Sequence, residues 1–94
     1  KRYISLNYNI YCFISDKYVI AQNKEEYKVK IRDFTTEYNH WCNSMNCTKK
    51  DKQYLIDYID KYTDAKYLYQ ESAIQFMISK EELEDKKIVI EEDD

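Results

Sequence analysis

Ile4, Leu6, Tyr8, Ile10, Cys12 and Ile14 occupy every second position at the start of the chain, with Ser5, Asn7 and Asn9 between them. Alternation of this length predicts a half-buried β-strand. Ser15-Asp16 follows as a turn, because both side chains can bond nearby backbone amides. Tyr18-Val19-Ile20 reads as a second strand. Gln22 to Glu25 makes the next turn, where Asn23 is the residue best suited to a left-handed backbone. Tyr27, Val29 and Ile31 alternate with Lys28, Lys30 and Arg32, a third strand with one basic face. Three strands with short links suggest an antiparallel meander.

The period then lengthens. Phe34, Tyr38, Trp41, Cys42 and Met45 fall on one face of a helix, with Asp33 or Thr35 as its cap. Trp41 on this face is expected to anchor the junction of sheet and helices. Thr48 to Asp51 resembles a capping box and opens a second helix with Leu55, Tyr58, Ile59 and Tyr62 on its apolar face. Asp57, Asp60 and Asp64 share the opposite face. A third helical stretch carries Leu68, Ala73, Phe76 and Met77. Ser79-x-x-Glu82 is a further capping-box pattern, and Lys87 to Glu91 reads as a closing strand. The expected fold is α+β in one domain, residues 1–94. A small antiparallel sheet of three N-terminal strands and a C-terminal strand carries two or three helices on one face.

Composition narrows the chemistry. The 94 residues contain no Gly and no Pro, which excludes glycine-rich phosphate loops, dinucleotide fingerprints and proline-rich ligand segments. No apolar run approaches the ~18 residues of a membrane-spanning helix, and the first residues lack a signal-peptide pattern, so a cytoplasmic protein is expected. Lys, Asn, Ile and Tyr fill 41 of the 94 positions, the signature of an AT-rich genome.

The cysteines, Cys12, Cys42 and Cys47, are odd in number and do not suggest a disulfide framework, so reduced thiols are expected, with a Cys42–Cys47 disulfide in an extracellular protein as the alternative. His40, Cys42 and Cys47 lie close in sequence but lack a tight Cys-x2-Cys knuckle and a fourth ligand, so no metal is assigned. His40 is the only histidine, and at two residues from Cys42 on a helix it faces another way. No catalytic pair and no cofactor site emerge. Asp60, Asp64 and Glu71 resemble the first, fifth and twelfth positions of an EF-hand calcium loop, which implies calcium binding. Tyr62 and Ala65 stand at the third and sixth positions, where that loop uses a ligand and a glycine.

Two features point to binding. Net charge is −3, yet residues 79–94 hold eight acidic side chains against three lysines. They are Glu81, Glu82, Glu84 and Asp85, then an acidic tail at 91–94 that includes Glu91 and Glu92. Such a segment suits a basic surface. There are also 11 tyrosines, residues favoured at interfaces for their rigid area and hydroxyl. Tyr58 and Tyr62 are expected to be buried, and Tyr54 to be partly exposed together with Tyr67 or Tyr69. The candidate partner-binding residues are therefore Tyr54, Tyr67, Tyr69, Glu81, Glu82, Glu84, Asp85, Glu91 and Glu92. The expected function is that of a small non-enzymatic protein-binding protein, of the phage or mobile-element type that inhibits a host nucleic-acid machine. Its partner would be a nucleic-acid-binding protein and not a membrane, with self-association a further option. The alternatives are an interaction domain of a larger parasite or bacterial protein, and a metal- or cysteine-dependent enzyme.

Overall fold

A computed structural model describes the backbone of residues 2–85, with side chains from residue 8 onward. The order is α1 (Arg2–Lys17), β1 (Tyr18–Ile20), β2 (Lys28–Lys30), α2 (Ile31–Met45), α3 (Lys52–Tyr62), β3 (Lys66–Leu68), β4 (Ala73–Gln75), β5 (Met77–Ser79) and α4 (Lys80–Asp85). The fold is α+β, with four helices and two small antiparallel sheets. The expected closing strand at 87–91, and Glu91 and Glu92 with it, lie outside the described residues.

The first segment corrects the sequence reading: it is a helix, not a strand. The alternating pattern omitted Phe13, which is fully buried, as is Ile10, with Ile14 nearly so. Steps of three and one between these residues mark a helix face. Phe13 sits at the centre of an aromatic cluster. Its ring centroid lies 5.3 Å from Phe34, 5.4 Å from Tyr38, 5.6 Å from Tyr18 and 5.8 Å from Trp41. Three of these pairs are edge-to-face, the arrangement that the ring quadrupole favours. An extended strand would place Phe13 on the opposite side from Ile10 and Ile14 and forfeit that burial.

β1 and β2 form where expected, but they do not pair with each other, so there is no meander. Both pair with the segment 73–79. Tyr18 stands opposite Ser79 and Ile20 opposite Met77, while Lys28 stands opposite Gln75 and Lys30 opposite Ala73. Between the two sets, Phe76 donates its N–H to the Tyr27 carbonyl and accepts from the Ala21 N–H, each at 2.9 Å. β4 and β5 are thus one strand bent at Phe76. β1 and β2 are one opposing strand interrupted by the loop 21–27. The bend puts Phe76 at φ 69°, a region costly for a residue with a Cβ.

The third expected helix, around Leu68, Ala73, Phe76 and Met77, is instead β3, β4 and β5. Ala73, Ile74, Met77 and Ile78 are all buried. A strand buried on both faces reads as an unbroken apolar run, which periodicity cannot separate from a buried helix. β3 and β4 make a hairpin, Leu68 opposite Ala73, with Ser72 in the left-handed region at φ 52°.

α2 begins at Ile31, directly after β2, with Lys30 at the cap and no side-chain cap bond; neither Asp33 nor Thr35 caps it. It ends at Asn46, left-handed at φ 58°, where a glycine-bearing protein would place glycine. Without glycine, Asn46, Ser72 and Phe76 carry the positive φ values among the described residues, and Asn23 does not. α3 is capped by Asp51, whose carboxylate accepts the Tyr54 N–H at 2.9 Å, rather than by Thr48. The Ser79 cap is as expected, its hydroxyl oxygen accepting the Glu82 N–H at 3.0 Å. Trp41 is buried and joins one core that draws on α1, α2, α3 and all five strands. Met45, expected on the apolar face of α2, is exposed instead, because it lies in the last turn.

Candidate functional site

α4 continues from β5 without a loop. Its first turn carries Glu81 and Glu82, where the helix dipole favours negative charge. The Lys80 ammonium donates to the Ser15 carbonyl at 2.8 Å and so holds α4 against the C-terminal turn of α1. None of its side chains is buried.

A groove of about 740 Å³ opens beside this junction. Glu81, Glu82 and Glu84 line one side of it, and Asp33 and Glu37 come from successive turns of α2. Asp16 joins them from the end of α1. Lys17, Lys28, Lys30 and Lys80 also line the groove. Lys28 is paired with Glu71 at 2.8 Å, while Lys80 donates to the neutral Ser15 carbonyl and keeps its charge. Asp16, Asp33, Glu37, Glu81 and Glu84 form no ion pair with another described residue. Carboxylates therefore outnumber available ammonium groups. Tyr18 lines the same groove. Burial, reinforced by Glu37 and then Asp33, holds its phenol well above the usual range, so it stays a neutral hydroxyl.

The tyrosines sort differently. Tyr54 is half-buried on α3, as expected. Tyr58 is buried, but Tyr62, expected beside it, is 56% exposed. Tyr62 occupies the last helical position. Tyr67 is corrected as a contact residue, since β3 turns its ring into the core. Tyr69 is exposed and meets Tyr67 edge-on at 4.7 Å. Of the expected binding residues, then, the groove gathers Glu81, Glu82 and Glu84. Asp85 is exposed at the end of α4, Tyr54 belongs to a separate cleft, and Tyr69 caps a hairpin.

Asp16, Asp33 and Glu37 were missed as site residues. The spacing of Asp33 and Glu37, four apart on a helix, was the available signal. Tyr8 and Tyr11, both exposed on α1, were missed because that segment read as a strand.

Asp60 accepts the Tyr67 N–H at 3.0 Å and ties α3 to β3. The 60–71 window runs through a helix end, a strand and part of a hairpin loop, not an ion-wrapping loop. Among the described residues, no group of three or more His, Cys, Asp or Glu side chains is placed to hold a metal. Cys12, Cys42 and Cys47 are free thiols. Burial raises the pKa of Cys42, which keeps it an unreactive thiol. His40 is exposed on α2. No helix among the described residues is long and apolar enough to cross a membrane. No protein-family model, curated protein or solved structure matches the chain.

Proposed function

We propose that this chain is a non-enzymatic binding protein that covers a basic surface of another protein with its acidic groove. The observation that supports this is the set of carboxylates of Asp16, Asp33, Glu37, Glu81 and Glu84, gathered from three helices and without ion-pair partners among the described residues. Charge gathered in a concave wall focuses the field towards an oppositely charged partner. A surface that binds nucleic acid is the basic surface such a wall fits, and inhibition by occupying it follows the expectation of a phage or mobile-element inhibitor.

The test is capture of the partner from host extract, then kinetics with the purified pair. Neutralising Glu81, Glu84, Asp33 and Glu37 to Gln or Asn should slow association at least tenfold at low salt. Added salt should slow the parent and leave the variant little changed, since the Debye length is about 8 Å at physiological ionic strength. The captured partner should lose nucleic-acid binding when the parent protein is present. Equal association rates for parent and variant would remove the groove from the interface.

A further inference from the structure

A second concavity lies between α1 and α3, and it shares no lining residue with the acidic groove. Its volume is about 250 Å³, below the ~300–1,000 Å³ of sites that hold a whole small molecule. Tyr11 from α1 and Tyr58 and Tyr62 from α3 line it, with Ile14 and Ile20 as apolar surface and Asp64 as its single charged residue. The Tyr58 and Tyr62 rings are 5.1 Å apart and tilted by 41°. Tyr11 and Tyr62 are both more than half exposed, so their rings are available to a ligand. Asp64 makes no ion pair with another described residue, and no lysine or arginine lines the cleft.

We propose that this cleft receives one arginine side chain of a protein partner. Its size suits a single side chain. The apolar residues match an aliphatic stem. The tyrosine faces attract a cation, and a guanidinium stacks on aromatic rings better than the more strongly hydrated ammonium of lysine. Asp64 supplies the carboxylate that a guanidinium fork engages. Rings of α3 already show this attraction within the chain: the Lys50 ammonium lies 5.0 Å from the centroid of Tyr54, and that of Lys61 5.3 Å from the centroid of Tyr62, itself a ring of the cleft. Tyr62 is shared between two clefts: Lys61 lines the adjoining one with Tyr54 and Asp57, and does not line this one. The inference is independent of the acidic groove, since its residues and its chemistry are separate.

The test uses the whole chain, isotope-labelled, and three blocked tripeptides: acetyl-Gly-Arg-Gly-amide, its lysine counterpart and its citrulline counterpart. Arginine should shift the resonances of Tyr11, Tyr62 and Asp64 saturably. Lysine should bind several-fold more weakly and citrulline at least tenfold more weakly. Tyr62→Ala should weaken the arginine peptide about tenfold and Asp64→Asn about threefold. Glu81→Gln with Glu84→Gln should change nothing, which separates failure of this site from failure of the groove. Tyr62 is exposed, so its variant should fold; should it melt early, Asp64→Asn decides alone. Equal binding of arginine and citrulline or lysine would overturn the proposal. So would shifts confined to α4, or the same residues responding to protein concentration alone or, at lower concentration, to an oligothymidylate. Those last two results would assign the cleft to a second copy or to single-stranded nucleic acid.

Discussion

α1 carries aromatic rings on two sides, and their fates are opposite. Phe13 is fully buried and touches four other rings, whereas Tyr8 and Tyr11 are more than half exposed and stack on each other at 6.3 Å. α3 repeats the contrast one turn apart, with Tyr58 buried and Tyr62 exposed. Aromatic content therefore does not mark the core of this protein. Angular position on a helix, and whether another element covers that angle, does. Tyrosine tolerates both outcomes because its hydroxyl can face water or a backbone group. Tyr38 shows the buried case, its phenol oxygen accepting the Lys50 N–H at 3.0 Å.

The sharpest way to break the comparison is to truncate both sides of α1. Phe13→Ala removes the hub of the cluster and should cost about 3–5 kcal/mol, much of the ~5–15 kcal/mol that holds a small domain folded. Tyr11→Ala should stay within about 0.5 kcal/mol. Urea unfolding midpoints measure both, and similar losses would mean that α1 is covered on both sides. On α3, Tyr58→Ala should cost about 3 kcal/mol and Tyr62→Ala under about 1 kcal/mol. Reversal of that order would place Tyr62 in the core.

Alkaline titration sharpens the contrast further. Burial pushes the Tyr38 phenol up to about 12, against a usual 10.0, and Tyr18 is raised still more. The unfolded chain ionises first, so it binds fewer protons than the native state above pH 10. Stability should therefore hold below pH 10 and fall as pH rises towards 12. Denaturation midpoints at pH 8, 10 and 11 read this directly. Midpoints unchanged between pH 8 and 11 would contradict the burial of these two phenols. A small effect outside both aromatic groups calibrates them. Ser72→Gly relieves a left-handed residue in the β3–β4 hairpin and should gain about 0.5–1 kcal/mol. A loss at this position would show that the serine side chain contributes more than its backbone conformation costs.

Much of the helical half was legible. The spacing from Phe34 to Cys42 and from Leu55 to Ile59 placed α2 and α3, and Ser79 identified the start of α4. The acidic side of the site was legible too, because Glu81, Glu82 and Glu84 are adjacent in sequence. Asp16, Asp33 and Glu37 were not joined to them, since their meeting depends on how α1, α2 and α4 pack. The errors share one cause. Ile4 to Ile14 satisfies a period of two if Phe13 is ignored and a helical period if it is counted, and local pattern gives no weight to Phe13 above Cys12. The apolar run from Ala73 to Ile78 is equally open to helix or strand. Beyond the local β3–β4 hairpin, its strand pairing depends on β1 and β2, more than 40 residues earlier in the chain.

By itself, then, the sequence determined the composition of the fold: an α+β chain without glycine, with an acidic segment near its C-terminal end and more tyrosine than a small core can hold. Tertiary structure decided which tyrosines stay outside, that α1 is helical, and that β1 and β2 share a bent partner strand instead of pairing together. Helix propensity and alternation differ by a few tenths of a kcal/mol per residue, whereas burying one ring such as Phe13 is worth about 2–3 kcal/mol. Where the two conflict, the contact made across the fold prevails.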